Sequence, residues 1–100
     1  MDIGFKTGDK VIVRGSASGV IFGTFYKNTG IAVQLLNAIQ MWEWKADYGI
    51  TLLDVALHGV DKSGCKFSVQ GGQVTVLDAC AVIAISDDAA RSIIGACPKK

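Results

Sequence analysis

The sequence predicts a small α+β, β-rich domain: an antiparallel meander sheet or a partly open barrel with two short helices. Three observations point there. First, the N-terminal half alternates β-branched and aromatic runs with Gly, Ser and Asn turn signals about every eight to twelve residues, the spacing of small sheets and barrels. Second, two later segments carry helix caps at both ends. Third, half of the 100 residues are hydrophobic and only 19% are charged, a balance suited to one folded domain spanning residues 1–100.

The elements follow in order. Lys10-Val11-Ile12-Val13-Arg14 reads as a short strand. Gly15-Ser16-Ala17-Ser18-Gly19 is a flexible turn, and Val20 to Tyr26 a second strand. Lys27-Asn28-Thr29-Gly30 forms the next turn, because Asn and Gly tolerate left-handed backbone angles. Ile31 to Asn37 is a third strand. Met41 to Lys45 reads as a fourth, with Trp42 and Trp44 on one face because side chains repeat every second residue.

A helix fits Leu52 to His58, capped by Thr51 and ended by Gly59. Its expected apolar stripe is Leu52, Leu53, Ala56 and Leu57. Asp61-Lys62-Ser63-Gly64 is a turn, and Cys65 to Val69 a strand interrupted by Gly71-Gly72. Gln73 to Ile85 is either one bent strand or two strands kinked near Asp78. Both faces of its second half are apolar, which suggests a central strand or an oligomer contact. Ser86 caps a closing helix. Asp87 and Asp88 suit the positive end of its dipole, and both lie within ion-pair reach of Arg91. Ile93 and Ile94 face the core, Gly95 ends the helix, and Pro98 prevents a restart.

Composition narrows the function classes. The net charge is +1, and the only arginines are Arg14 and Arg91. Duplex binding needs a basic stripe that displaces several counterions, so stable nucleic-acid binding is not expected. The Lys99-Lys100 end reads as a frayed tail. Cys65, Cys80 and Cys97 form no C-x-x-C pair, and their odd number fits a reducing compartment without a disulfide framework. With one histidine, no metal site is expected, and no cofactor motif is present. No apolar run reaches the length of a membrane span, and the N-terminal residues show no basic-then-apolar signal pattern, so no secretion is expected. An apolar chain this small tends to bury its surplus apolar surface against another copy, so a homo-oligomer is expected.

No catalytic residues are assigned. His58 lacks a paired nucleophile and suits a helix C-terminus. Asp87 and Asp88 read as helix-start electrostatics. Two features remain as ligand-binding candidates. Arg14 followed by the Gly/Ser loop could hold an anion through bare N–H groups and the Ser16 and Ser18 hydroxyls. Trp42 and Trp44 could stack a base beside the Lys45 ammonium. The plain alternatives are a hairpin turn, and tryptophans that fill the core or a subunit contact.

Residues Asn37-Ala38, Trp42-x-Trp44, Thr51-Leu52, Ala56, Gly59-Val60 and Cys65-Lys66-Phe67 occur in an order that resembles a family of small bacteriophage proteins. Val82-Ile83-Ala84-Ile85, Ala89-Ala90 and Ser92-Ile93 extend the similarity, which covers residues 11 to 95. The family pattern often carries two arginines before the first tryptophan, where this chain has Ile39-Gln40. The resemblance implies a phage origin and a place in the host bacterial cytoplasm. On that basis the expected function is non-enzymatic: an oligomeric protein that binds a small anionic nucleotide and sequesters a host immune signal. The alternative is a structural or protein-binding module without a small-molecule ligand.

Overall fold

A computed structural model describes residues 3–98, so the Lys99-Lys100 end lies outside the described residues. The strands are β1 (Lys10–Gly15), β2 (Gly19–Thr29), β3 (Ala32–Glu43), β4 (Lys66–Phe67), β5 (Gln73–Val76) and β6 (Ala79–Ala84). The helices are α1 (Leu52–His58) and α2 (Asp87–Gly95), and a single 3-10 turn covers Lys62–Gly64. All strand pairs are antiparallel. The order is β4-β3-β2-β1-β6, and β5 pairs with β3 as well. The fold is the expected β-rich α+β class.

The chain connectivity forces this sheet to curl. β5 pairs with β3 near one edge, while β6 pairs with β1 at the other. Only Leu77 and Asp78 separate β5 from β6 in sequence. Two residues span about 7 Å at most, so the two edges must approach each other. β5 and β6 do not pair, and the barrel stays open along that seam.

Curling creates two cores, one on each face of the sheet. Val11, Val13, Ile21, Phe25, Val33, Leu35, Ala38 and Val76 fill the concave side. Ile12, Phe22, Ile39, Met41 and Phe67 pack on the other side against Val55, Ala90 and Ile93 from the helices. This explains three consecutive buried residues, Val11-Ile12-Val13, in β1. Strand alternation sends Val11 and Val13 into one core and Ile12 into the other. Gly23 sits where the curl is tight: a Cβ there would lie 2.9 Å from Leu35 Cβ. A larger side chain would push β2 and β3 apart.

Several expectations are corrected. β2 continues to Thr29, and Gly30-Ile31 form the turn to β3, with Gly30 at φ 57°. The expected third and fourth strands are one 12-residue strand. Its polar interruption is a bulge, not a break: the register with β2 shifts between Thr24↔Leu36 and Phe22↔Ile39. Asn37 takes φ 53° there, a left-handed conformation that Asn tolerates better than most residues. Gln73 to Ile85 divides into β5 and β6 at Asp78, the second of the two alternatives above. β6 is an edge strand rather than a central one. Its two apolar faces each meet a core of this chain, Ile83 packing on the helix-side core and Val82 on the concave core.

Both helix caps form as expected. Thr51 Oγ1 accepts from Asp54 N, and the Asp54 carboxylate accepts from Thr51 N in return. Ser86 Oγ accepts from Ala89 N at 3.1 Å, and Arg91 pairs with Asp88. The inward faces differ from expectation. α1 buries Val55 and Ala56 and half-buries Leu52, while Leu53 and Leu57 face solvent. α2 buries Ile93 but leaves Ile94 exposed. Each helix turns one face inward, Val55 and Ala56 on α1 and Ala89, Ala90 and Ile93 on α2, and Leu53, Leu57 and Ile94 fall outside that face.

Candidate functional site

The Gly/Ser loop is built as an anion cradle, and the protein fills it with its own carboxylate. Asp78, in the β5–β6 link, accepts hydrogen bonds from Ser18 Oγ, Ser18 N, Ala17 N and Ser16 Oγ. Ser16 N donates to the Asp78 carbonyl at 3.1 Å. Hydrogen bonds to an ionised carboxylate favour the charged form. The Ser18 hydroxyl, then the Ala17 N–H, hold Asp78 down to a pKa of about 2. The cradle also requires Gly15: a Cβ would stand 2.7 Å from Asp78 Oδ1 and 2.9 Å from Ser18 Cβ. This clamp ties the β1–β2 turn to the β5–β6 link and so helps hold the curled sheet.

The expected ligand residues are therefore not assembled into one pocket. Ser16 and Ser18 are committed to Asp78. Lys45 lies 3.5 Å from Asp61, and its stem runs over Gly64. Arg14 is exposed at the end of β1, where alternation puts it on the same sheet face as Ile12. The tryptophans part company. Trp42 is the extra residue in a second bulge, between Met41↔Phe67 and Glu43↔Lys66, and is 77% exposed. Trp44 lies beyond the strand and packs half-buried on the helix-side core. The bulge breaks the period of two on which a shared Trp face depends. Gln40 bonds to the Ser18 and Val20 carbonyls at 3.3 Å, so Trp42 and the loop do sit at the same end of the sheet.

A different surface is left open on α1. Leu53 and Leu57 are 62% and 64% exposed, one helical turn apart. The preceding loop folds back along the helix and adds Tyr48 at 73% and Ile50 at 88%. Its course is fixed by contacts from Ala46, Asp47, Tyr48 and Ile50. Ala46 bridges to Val60, and Asp47 N donates to Gly59 O. Tyr48 packs edge-on against His58, with ring centroids 5.3 Å apart. Ile50 N donates to Asp54 Oδ2 at 3.0 Å. Gly49 has φ +93° and touches the Asp54 carboxylate so closely that a Cβ would overlap it. Backbone and side-chain bonds from Thr51, then Ile50, lower the Asp54 pKa and keep this anchor charged. The result is a ridge of four large apolar side chains in water.

Sequence reasoning missed both features. It placed Leu53 and Leu57 in the core, although Ile50 directly before the cap was a sign of apolar residues left over. It treated Asp78 only as a kink, although a lone acid between two apolar strands needs partners.

No helix among the described residues is long and apolar enough to cross a membrane. Cys65, Cys80 and Cys97 are all free thiols, and burial pushes the Cys97 thiol up. Among the described residues, no three His, Cys, Asp or Glu side chains converge as metal ligands. No match was found among curated proteins or among solved structures. The family described as Domain of unknown function (DUF6948) matches residues 8–93, from before β1 to the core residue Ile93 of α2. That span takes in every strand, the Asp78 clamp and the α1 ridge: the chain belongs to the DUF6948 family.

Proposed function

We propose that this protein is a non-catalytic protein-binding module whose α1 ridge inserts into an apolar groove on a partner. The exposure of Tyr48, Ile50, Leu53 and Leu57 carries the reading. A side chain this apolar gains roughly 1.5–3 kcal/mol on full burial. Leaving four together in water is costly unless a partner covers them. Two leucines at i and i+4, with Ile50 and Tyr48 flanking, suit a helix-in-groove contact. The phage resemblance adds that the partner would be a host protein met in the bacterial cytoplasm.

The test is photocrosslinking in host cells from a reactive residue at position 53, with the equally exposed Leu77 as control position. A discrete adduct from position 53 alone, lost on Leu57→Asp, supports the reading. No adduct, or the same adducts from both positions, overturns it.

Nucleotide sequestration for counter-defence stands as the second reading. Trp42, exposed at the loop end of the sheet, favours it, since an open indole can stack a base. The Asp78 clamp weighs against it, because a phosphate would have to displace a bound carboxylate from the same donors. Native mass spectrometry against cyclic and linear nucleotides decides: an added nucleotide mass that disappears with Trp42→Ala would establish it.

A further inference from the structure

We infer that the partner of the α1 ridge is a protein with a short apolar cleft edged by Lys or Arg, a refinement that rests on the protein-binding reading of that ridge. Size sets the first condition. α1 has seven residues, so the helix is about 10 Å long. Leu53 and Leu57 stand one turn, about 6 Å, apart along it. Tyr48 and Ile50 widen the apolar face at its flank. The matching seat is a compact cleft rather than an extended groove.

Charge sets the second condition. The chain is +1 overall, yet residues 46–61 hold Asp47, Asp54 and Asp61 and neither Lys nor Arg. Asp61 is paired with Lys45 at 3.5 Å. Among the described residues, Asp47 and Asp54 are in no ion pair with Lys or Arg, and His58 is formally neutral at pH 7. The two acids bracket the ridge. Asp54 meets Thr51 and Ile50 where α1 starts, and the bonds from those two residues keep it ionised. Asp47 lies at the other end, its N–H bonded to the Gly59 carbonyl at 3.0 Å. Asp87 follows Ser86 beside Leu57, but Lys10 lines a cavity with it, so that corner is electrically mixed.

These charges select the occupant. A second copy docked ridge to ridge would set Asp47 and Asp54 against their own kind, and like charges across a contact oppose association. An anionic lipid surface would meet the same repulsion. A protein cleft edged by Lys or Arg instead attracts both ends of the ridge while the four apolar side chains fill its floor. An exposed rim pair adds little affinity by itself, but it speeds encounter and fixes the register in which the helix enters.

The experiment compares photocrosslinking from position 53 in host cells for the otherwise wild-type chain, Asp47→Asn, Asp47→Lys and Gln73→Lys. Asp47 is held through its backbone and its side chain is exposed, so both substitutions should fold. Gln73, exposed on β5, adds the same charge as Asp47→Asn but off the ridge. The expected adduct falls about 2–3-fold with Asp47→Asn and about 3–10-fold with Asp47→Lys. Gln73→Lys should leave it unchanged, and the crosslinked peptide, mapped by mass spectrometry, should carry Lys or Arg beside apolar residues. An adduct as strong in Asp47→Lys as in the wild type overturns the inference and leaves the ridge reading standing. So does an equal loss in Gln73→Lys. Adducts to lipid, or to a second copy of this chain, overturn it as well. No wild-type adduct at all overturns the ridge reading and this inference with it. If Asp47→Lys fails to fold by circular dichroism, Asp47→Asn decides.

Discussion

Replacing Gly15 with alanine tests whether the Asp78 clamp holds the curled sheet. Two effects oppose each other. Gly15 does not require a positive φ, so alanine restricts the unfolded chain and gains about 0.4–1 kcal/mol. Against this, the new Cβ would lie 2.7 Å from Asp78 Oδ1 and 2.9 Å from Ser18 Cβ. Both are closer than van der Waals contact, and both atoms are fixed by the clamp. Forcing an extra methyl into a fixed site costs about 1–3 kcal/mol. The steric term wins, and the net loss should be about 1–2 kcal/mol. For a domain of this size that lowers Tm by about 4–16 °C. Urea denaturation followed by tryptophan fluorescence measures it directly. Combining Gly15→Ala with Asp78→Ala removes the oxygen that the methyl strikes, so the second substitution should shrink the penalty of the first. If Gly15→Ala is as stable as the wild type, or costs the same without Asp78, the clamp is not the constraint described.

Two further outcomes follow from the same geometry. Asp78 titrates at about 2 in the folded protein against 3.8 ordinarily. A lowered folded pKa means its contribution is complete above pH 3.8 and is lost as pH falls through about 2. The pH dependence of urea midpoints between pH 5 and 2 should therefore flatten in Ser18→Ala, which removes the strongest donor; an unchanged slope would count against the clamp. The tryptophans should separate cleanly in thermal melts. Trp44→Ala should cost about 1–3 kcal/mol through lost packing on the helix-side core, while Trp42→Ala should stay within about 0.5 kcal/mol. Equal losses would mean that both indoles are structural.

Much of the architecture was legible because it depends on short-range chemistry. Thr51 and Ser86 cap helices wherever an apolar segment follows, because their hydroxyls satisfy the first free N–H groups. Turn residues at 15–19 and 71–72 mark strand ends for equally local reasons. The Gly/Ser loop was read as a hairpin turn or as N–H and hydroxyl groups for an anionic ligand; the group they bond is the chain's own Asp78 carboxylate. That the anion is Asp78 was not readable, since the partners are separated by 60 residues. The Trp-x-Trp spacing misled for a related reason. It assumes an unbroken strand, and the bulge at Trp42 arises from pairing with β4, more than 20 residues later.

The sequence by itself determined the β-rich class, two capped helices and a chain rich in apolar groups. It could do so because composition, period and caps act over a few residues. Only the tertiary structure decided which apolar groups remained outside. The curl that joins β5 to β6 through Leu77 and Asp78 divides the interior into two narrow cores. The helices give those cores Val55, Ala56, Ala89, Ala90 and Ile93, and the surplus at Tyr48, Ile50, Leu53 and Leu57 stays in water. Burial is a property of the whole packed chain, and no local window of sequence contains it.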